Sequence, residues 1–170
     1  MLGIKPACLM SIDKGQFAVA ENVMRFNSRA VKKGLKIRIL CECRNRRLLF
    51  MYNEKMLAKH LENENVKAVF KRFGYCEKMS IDEYLDRLAM RIMQAGDFPH
   101  EVGLFLGYPV DDVLGFIENK GENYKLCGYW KVYSDEKYAK RTFDNYNKCR
   151  KYLCEKLNEG EDIYSALKIS

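Results

Sequence analysis

Residues 35–52 read LKIRILCECRNRRLLFMY, and this stretch decides the fold. Leu35, Ile37, Ile39 and Cys41 alternate with Lys36, Arg38 and Glu42, the two-residue period of a strand with one apolar face. Arg44, Asn45 and Arg46 then turn the chain into the apolar run 48–52, so the segment predicts a β-hairpin. Upstream, residues 5–12 (KPACLMSI) follow Pro6 and end before Asp13-Lys14-Gly15, which reads as a buried strand. Between the two, residues 16–33 place Phe17, Ala20, Val23, Met24, Phe26, Ala30 and Val31 at helical spacing, and Gly34 supplies the stop.

Downstream, residues 54–73 carry Met56, Leu57, Leu61, Val66, Val69 and Phe70 with a soft spot at Asn63 and Asn65, predicting one broken helix or two short ones. Ser80-Ile81-Asp82-Glu83 matches a capping box, and Tyr84, Leu85, Leu88, Ala89, Ile92 and Met93 give the helix after it an apolar face. Two segments of one design follow, Phe98-Pro99-His100-Glu101 and Tyr108-Pro109-Val110-Asp111. In each an aromatic residue precedes a Pro expected at the first helical position and an acid that suits the positive helix start; Gly107 and Gly121 close them. Residues 124–133 (YKLCGYWKVY) read as one aromatic-rich strand. From Ser134 to about Leu157 a helix buries Ala139, Phe143, Tyr146, Cys149, Leu153 and Leu157, and a short last helix spans residues 162–168. The order predicts an α+β fold: a small, mostly antiparallel sheet of about four strands covered by helices, in a single domain over residues 1–170.

With 170 residues, 48% hydrophobic and 31% charged, the chain has ordinary globular composition, which excludes disordered and fibrous classes. It has no apolar run of membrane-spanning length and no secretory leader pattern, so the expected location is cytoplasmic. Seven cysteines, an odd number without disulfide-scaffold spacing, are expected to be reduced thiols.

The net charge of +7 is local. Arg25, Arg29, Lys32, Lys33, Lys36, Arg38, Arg44, Arg46 and Arg47 stand against Glu42 alone in residues 25–47. Such a cluster is a candidate site for an acidic protein, a nucleic acid or a phosphate-bearing ligand, or else a solvated basic face. Phe26 and Tyr52 are the nearby aromatics, a thin stacking platform for single strands.

Other constellations stay open between structure and chemistry. Cys41 and Cys43, two apart on a strand, suit one metal ion or a redox pair; Cys41 also continues the Leu35, Ile37, Ile39 face. His60, among Lys59, Glu62 and Glu64, reads as surface. His100 beside Glu101 is the candidate for acid–base chemistry in a hydrolase or transferase, or a cap. Asp111-Asp112 reads as first-turn capping. Tyr129, Trp130 and Tyr133 suit a ligand-pocket wall or a core. Residues 100–121 have a helix-turn-helix layout, but Asp111, Asp112 and Glu118 would face a polyanion, so a core-packing helical hairpin fits better. No phosphate-loop, dinucleotide, nucleophile-elbow or zinc-protease motif occurs, and no cofactor is indicated.

The block FPHEVGLFLGYPVDDVLGFIENKG at residues 98–121, with CGYWKVY at 127–133 and the Ala139, Phe143, Tyr146 helix, resembles a bacterial family, chiefly of anaerobes, known as domain of unknown function 3793. Gly3-Ile4-Lys5-Pro6 and the hairpin of residues 34–52 are similar too. The resemblance implies a cytoplasmic domain in an anaerobic setting and assigns no catalytic residue. The leading functional expectation is a non-catalytic binding or regulatory module with a basic patch; a metal- or redox-linked thiol protein is the alternative.

Overall fold

The hairpin of residues 35–52 lies in a three-stranded antiparallel sheet in the computed structural model, which describes residues 3–15, 18–42, 45–76, 78–94 and 98–169. The strands are β1 (Ala7–Asp13), β2 (Leu35–Glu42) and β3 (Arg46–Asn53), in the order β1-β3-β2. Directly opposed residues of an antiparallel pair share a face. Ala7, Tyr52 and Lys36 therefore stand on one face with Leu9, Phe50 and Arg38. Ala7, Phe50 and Tyr52 are buried, so Lys36 and Arg38 lie at the β2 margin of the face that packs the core.

The register slips between Ile39, opposite Leu49, and Cys41, opposite Leu48. Leu40 is the extra residue of this bulge and is buried. Simple alternation puts Cys41 with Ile37 and Ile39; the bulge moves it to the other face, with Leu48.

Helix α1 (Val19–Ala30) runs into a short 3-10 turn, Val31–Lys33, and ends at Gly34, whose φ of 64° is the left-handed conformation glycine adopts without strain. Gln16 and Phe17 fall outside the described residues. Asn27 of α1 faces the open edge of β2, donating to the Ile37 carbonyl at 2.8 Å and accepting from the Ile37 amide at 2.7 Å. One side-chain amide thus satisfies both backbone polar groups of a residue on an edge strand.

Residues 54–73 form two helices, α2 (Glu54–Leu61) and α3 (Glu64–Arg72). The soft spot is a cap: the Asn63 side chain accepts from the amides of Asn65 and Val66. The capping box before α4 (Ile81–Gln94) is closed, with the Ser80 amide donating to Glu83 at 2.6 Å and the Glu83 amide donating to the Ser80 hydroxyl at 3.3 Å. A single helical turn, α5 (Val102–Phe105), follows. Phe50, Phe70, Leu57, Leu85, Leu88, Leu104 and Phe105 fill the core here, Phe70 meeting Phe105 edge-on at 4.7 Å.

The chain's contacts divide it into two units, Gly3–Gly107 and Tyr108–Ser170. The second holds α6 (Val110–Glu118), a small sheet of β4 (Leu126–Cys127) and β5 (Lys131–Val132), α7 (Glu136–Asn158) and α8 (Ile163–Ala166). Residues 124–133 are thus two strands of two residues rather than one. The chain turns at residues 128–130 and lays Tyr129 and Trp130 on α7, with Trp130 edge-on to Phe143 at 4.6 Å. Gly128 allows the approach, since a Cβ there would stand 2.2 Å from the Phe143 ring.

Pro109 is the cap residue of α6 rather than its first helical residue. Because α5 is one turn of four residues, residues 100–121 do not contain the first of two full helices that a helix-turn-helix layout needs. On α7, Ala139, Phe143 and Tyr146 are buried as their spacing predicts, whereas Leu157 is exposed. The α+β class and the small antiparallel sheets match the expectation, with strands grouped three and two instead of about four together. Among the described residues no helix is long and apolar enough to cross a membrane.

Candidate functional site

The described basic residues of 25–47 have different surroundings. Several are paired with carboxylates of their own unit: Arg25 with Glu21, Lys36 with Glu54, Arg47 with Glu42, and Arg38 with Asp82 and Asp86 of α4. Lys14 also meets Glu42 at 3.2 Å, and the hydrogen bonds from Lys14 and then Arg47 hold the Glu42 carboxyl below its ordinary range. Arg46 donates to the Ser11 hydroxyl at 2.7 Å. Arg44 lies outside the described residues. Arg29, Lys32 and Lys33 are exposed around the end of α1. They sit beside the start of β2, while Arg46 and Arg47 mark the hairpin end, about 20 Å away along a strand rising roughly 3.3 Å per residue.

Cys41 is half-buried, and Cys43 lies outside the described residues. Cys8, Cys76, Cys127, Cys149 and Cys154, like Cys41, are in no disulfide, and burial pushes the Cys8 thiol upward. Among the described residues no group of three His, Cys, Asp or Glu could hold a metal ion.

His100 and Glu101 have opposite surroundings. His100 is exposed, whereas Glu101 is fully buried. The Glu101 carboxylate accepts from Arg91 Nε, from Arg91 Nη2 at 3.4 Å and from the Tyr75 hydroxyl at 3.4 Å. Its acid group serves an internal ion pair rather than the start of α5. Burial, reinforced by Glu101, holds the Tyr75 phenol protonated far above its ordinary range. Arg91 and Tyr75 escape a motif search, yet a signal exists: Arg91 lies seven residues after Tyr84 and three after Leu88, on the buried stripe of α4. An arginine there needs a buried acid.

His60 is the second departure from the sequence reading. Its Nε2 lies 2.8 Å from the Leu104 carbonyl, and the ring is half-buried, so α2 holds the turn of α5. Burial draws its pKa below the ordinary value near 6.5. The unfolded chain then takes up the proton first as pH falls, so stability is intact above about pH 6.5 and declines below it. Chemical denaturation at pH 7.5 and 5.5 is expected to show that decline in the wild type and to lose most of it in His60→Gln. An unchanged pH dependence in the variant refutes the assignment.

In the second unit Asp112 is buried and accepts from Trp130 Nε1 at 2.7 Å and from the amides of Tyr133 and Ser134, each at 2.8 Å. It does not cap its own helix. Tyr108 stacks on Trp130 at 4.9 Å, and Tyr129 donates to Asn147. The polar edge of Trp130 is thus engaged internally, as in a core with a polar tip.

The fold and its polar clusters define an α+β protein whose buried charges join elements distant in sequence. The chain belongs to the DUF3793 family, described as protein of unknown function, whose model matches residues 1–167. No curated protein and no solved structure matches the chain.

Proposed function

We propose that this protein is a non-catalytic binding module whose N-terminal unit engages an anionic partner through the positive side chains around the end of α1. One observation carries this reading: the charge is wholly uneven. Residues 1–107 contain 19 basic and 12 acidic side chains, while residues 108–170 contain 11 of each. Within residues 25–47, carboxylates of the same unit compensate Arg25, Lys36, Arg38 and Arg47, whereas Lys32 and Lys33 project from the 3-10 turn with solvent around them. A positive group of this kind raises encounter rates with acidic proteins, nucleic acids and phosphate-bearing ligands, most strongly at low salt.

Fluorescence anisotropy with a single-stranded oligonucleotide and with a polyglutamate peptide tests the reading. Lys32→Glu/Lys33→Glu is expected to weaken binding to the favoured polyanion roughly tenfold and, for the oligonucleotide, to lower the salt slope by about one to two. Arg38→Gln is expected to leave affinity unchanged while lowering thermal stability. Failure to bind either polyanion at low salt, or binding indifferent to the double reversal, overturns the proposal.

A further inference from the structure

We propose that the solvent face of α7 is a binding surface for single-stranded nucleic acid. Tyr138, Arg141, Asn145, Lys148 and Tyr152 follow one another at steps of three and four residues, so they line one stripe of the helix. Ala139, Phe143 and Tyr146 are the buried residues of α7, and the stripe runs along the side opposite them. At a rise of about 1.5 Å per residue it is roughly 21 Å long, which spans a few nucleotides of an extended strand.

Charge brings a polyanion to this helix. Within α7 stand seven basic and three acidic residues, whereas the rest of residues 108–170 holds four basic and eight acidic. The unit is neutral as a whole and polarised toward one helix. Lys140 and Lys151 meet Glu136 and Glu155 at 3.6 and 3.7 Å, and Lys156 is held by Glu159 and Glu161. Among the described residues neither Arg141 nor Lys148 makes an ion pair; both are exposed in the stripe, with exposed Lys137 one turn before Arg141. Asp144, one turn before Lys148, is an acid on the flank of the stripe and offsets part of this charge.

The rings select the class of polyanion. Tyr138 is 48% exposed and Tyr152 is half-buried, one at each end of the stripe with the two cations between. Single strands are held in this way: unpaired bases stack on aromatic rings while the phosphates meet lysine and arginine. A duplex keeps its bases stacked on one another, and an acidic peptide would use the cations alone. Asn145, between Arg141 and Lys148, adds an exposed amide that both donates and accepts, as a base edge requires. The basic run of residues 25–47 lacks such rings, since its neighbours Phe26 and Tyr52 are buried. The stripe shares no residue with the Lys32–Lys33 group, and neither proposal depends on the other.

Oligodeoxythymidine and oligouridine of about twelve nucleotides, each carrying one 5-iodopyrimidine, test the surface by anisotropy and by photo-cross-linking with peptide mapping. Cross-links are expected at Tyr138 or Tyr152, and the tighter oligonucleotide identifies the partner as DNA or RNA. Tyr138→Ala is expected to weaken binding about tenfold, and Tyr138→Phe, which keeps the ring, to bind as the wild type does. Arg141→Gln/Lys148→Gln is expected to lower the salt slope by about 1.4. Lys32→Glu/Lys33→Glu is expected to keep the α7 cross-link, so failure of this surface and failure of the α1 surface are told apart. Trp130 fluorescence checks that each variant keeps its fold. No binding of either strand at low salt, cross-links confined to residues outside α7, or an affinity unmoved by the Tyr138 and Arg141/Lys148 variants overturns the proposal. Binding of polyglutamate in place of both strands would assign the face to an acidic protein and overturn it equally.

Discussion

Asp112→Ala is expected to lower the stability of the second unit by about 3–5 kcal/mol, because it strands three donors at once. Trp130 Nε1 and the amides of Tyr133 and Ser134 all converge on this one buried carboxylate. Each unsatisfied buried donor costs about 1–3 kcal/mol, less where water can enter; Tyr133 and Ser134 are only half-buried, which keeps the total below the simple sum. Asp112→Asn is expected to lose less, since its remaining amide oxygen still accepts while its NH2 opposes one donor. Trp130 is the chain's single tryptophan and sits at the bond in question, so its fluorescence during urea unfolding reports the effect directly. A loss under about 1 kcal/mol for Asp112→Ala would mean that the three donors find water instead.

Arg91→Met is the second large effect, again about 3–5 kcal/mol, because it leaves Glu101 fully buried with only the Tyr75 hydroxyl at 3.4 Å. A carboxylate without its cation in an apolar site prefers the protonated form. Its deficit relative to the wild type is therefore expected to shrink at lower pH. Arg91→Met/Glu101→Gln removes both charges and is expected to recover part of the loss. Guanidinium unfolding followed by circular dichroism at pH 7.5 and 5.5, arranged as a double-mutant cycle, measures both points. Additive single effects would show that the pair is uncoupled.

Several elements were legible because their signals are local. The Ser80–Glu83 box, the helix break at Asn63, the stop at Gly34 and the Ala139, Phe143, Tyr146 stripe each depend on residues a few positions apart. The candidate sites were legible only as residue types. Glu101 and Asp112 follow prolines and read as acids for helix starts, yet their partners lie 10 residues back at Arg91 and 18 residues on at Trp130. His60 reads as surface among charged neighbours, but its carbonyl partner is 44 residues away. The basic run reads as a candidate anion site or a solvated face because sequence counts charges without their neutralising partners; Asp82 and Asp86 reach Arg38 across 44 and 48 residues.

The sequence by itself determined the order of most helices and strands, several of their ends, the α+β class and the location of the excess positive charge, since periodicity, caps and turn residues act over one or two turns of chain. Tertiary structure alone decided which charges survive at the surface. It also moved Cys41 to another face through the Leu40 bulge, split residues 124–133 into two short strands against Phe143, and joined Glu101 to Arg91. Such pairings are settled by the desolvation of groups brought together across long stretches of chain, and no local pattern encodes that cost.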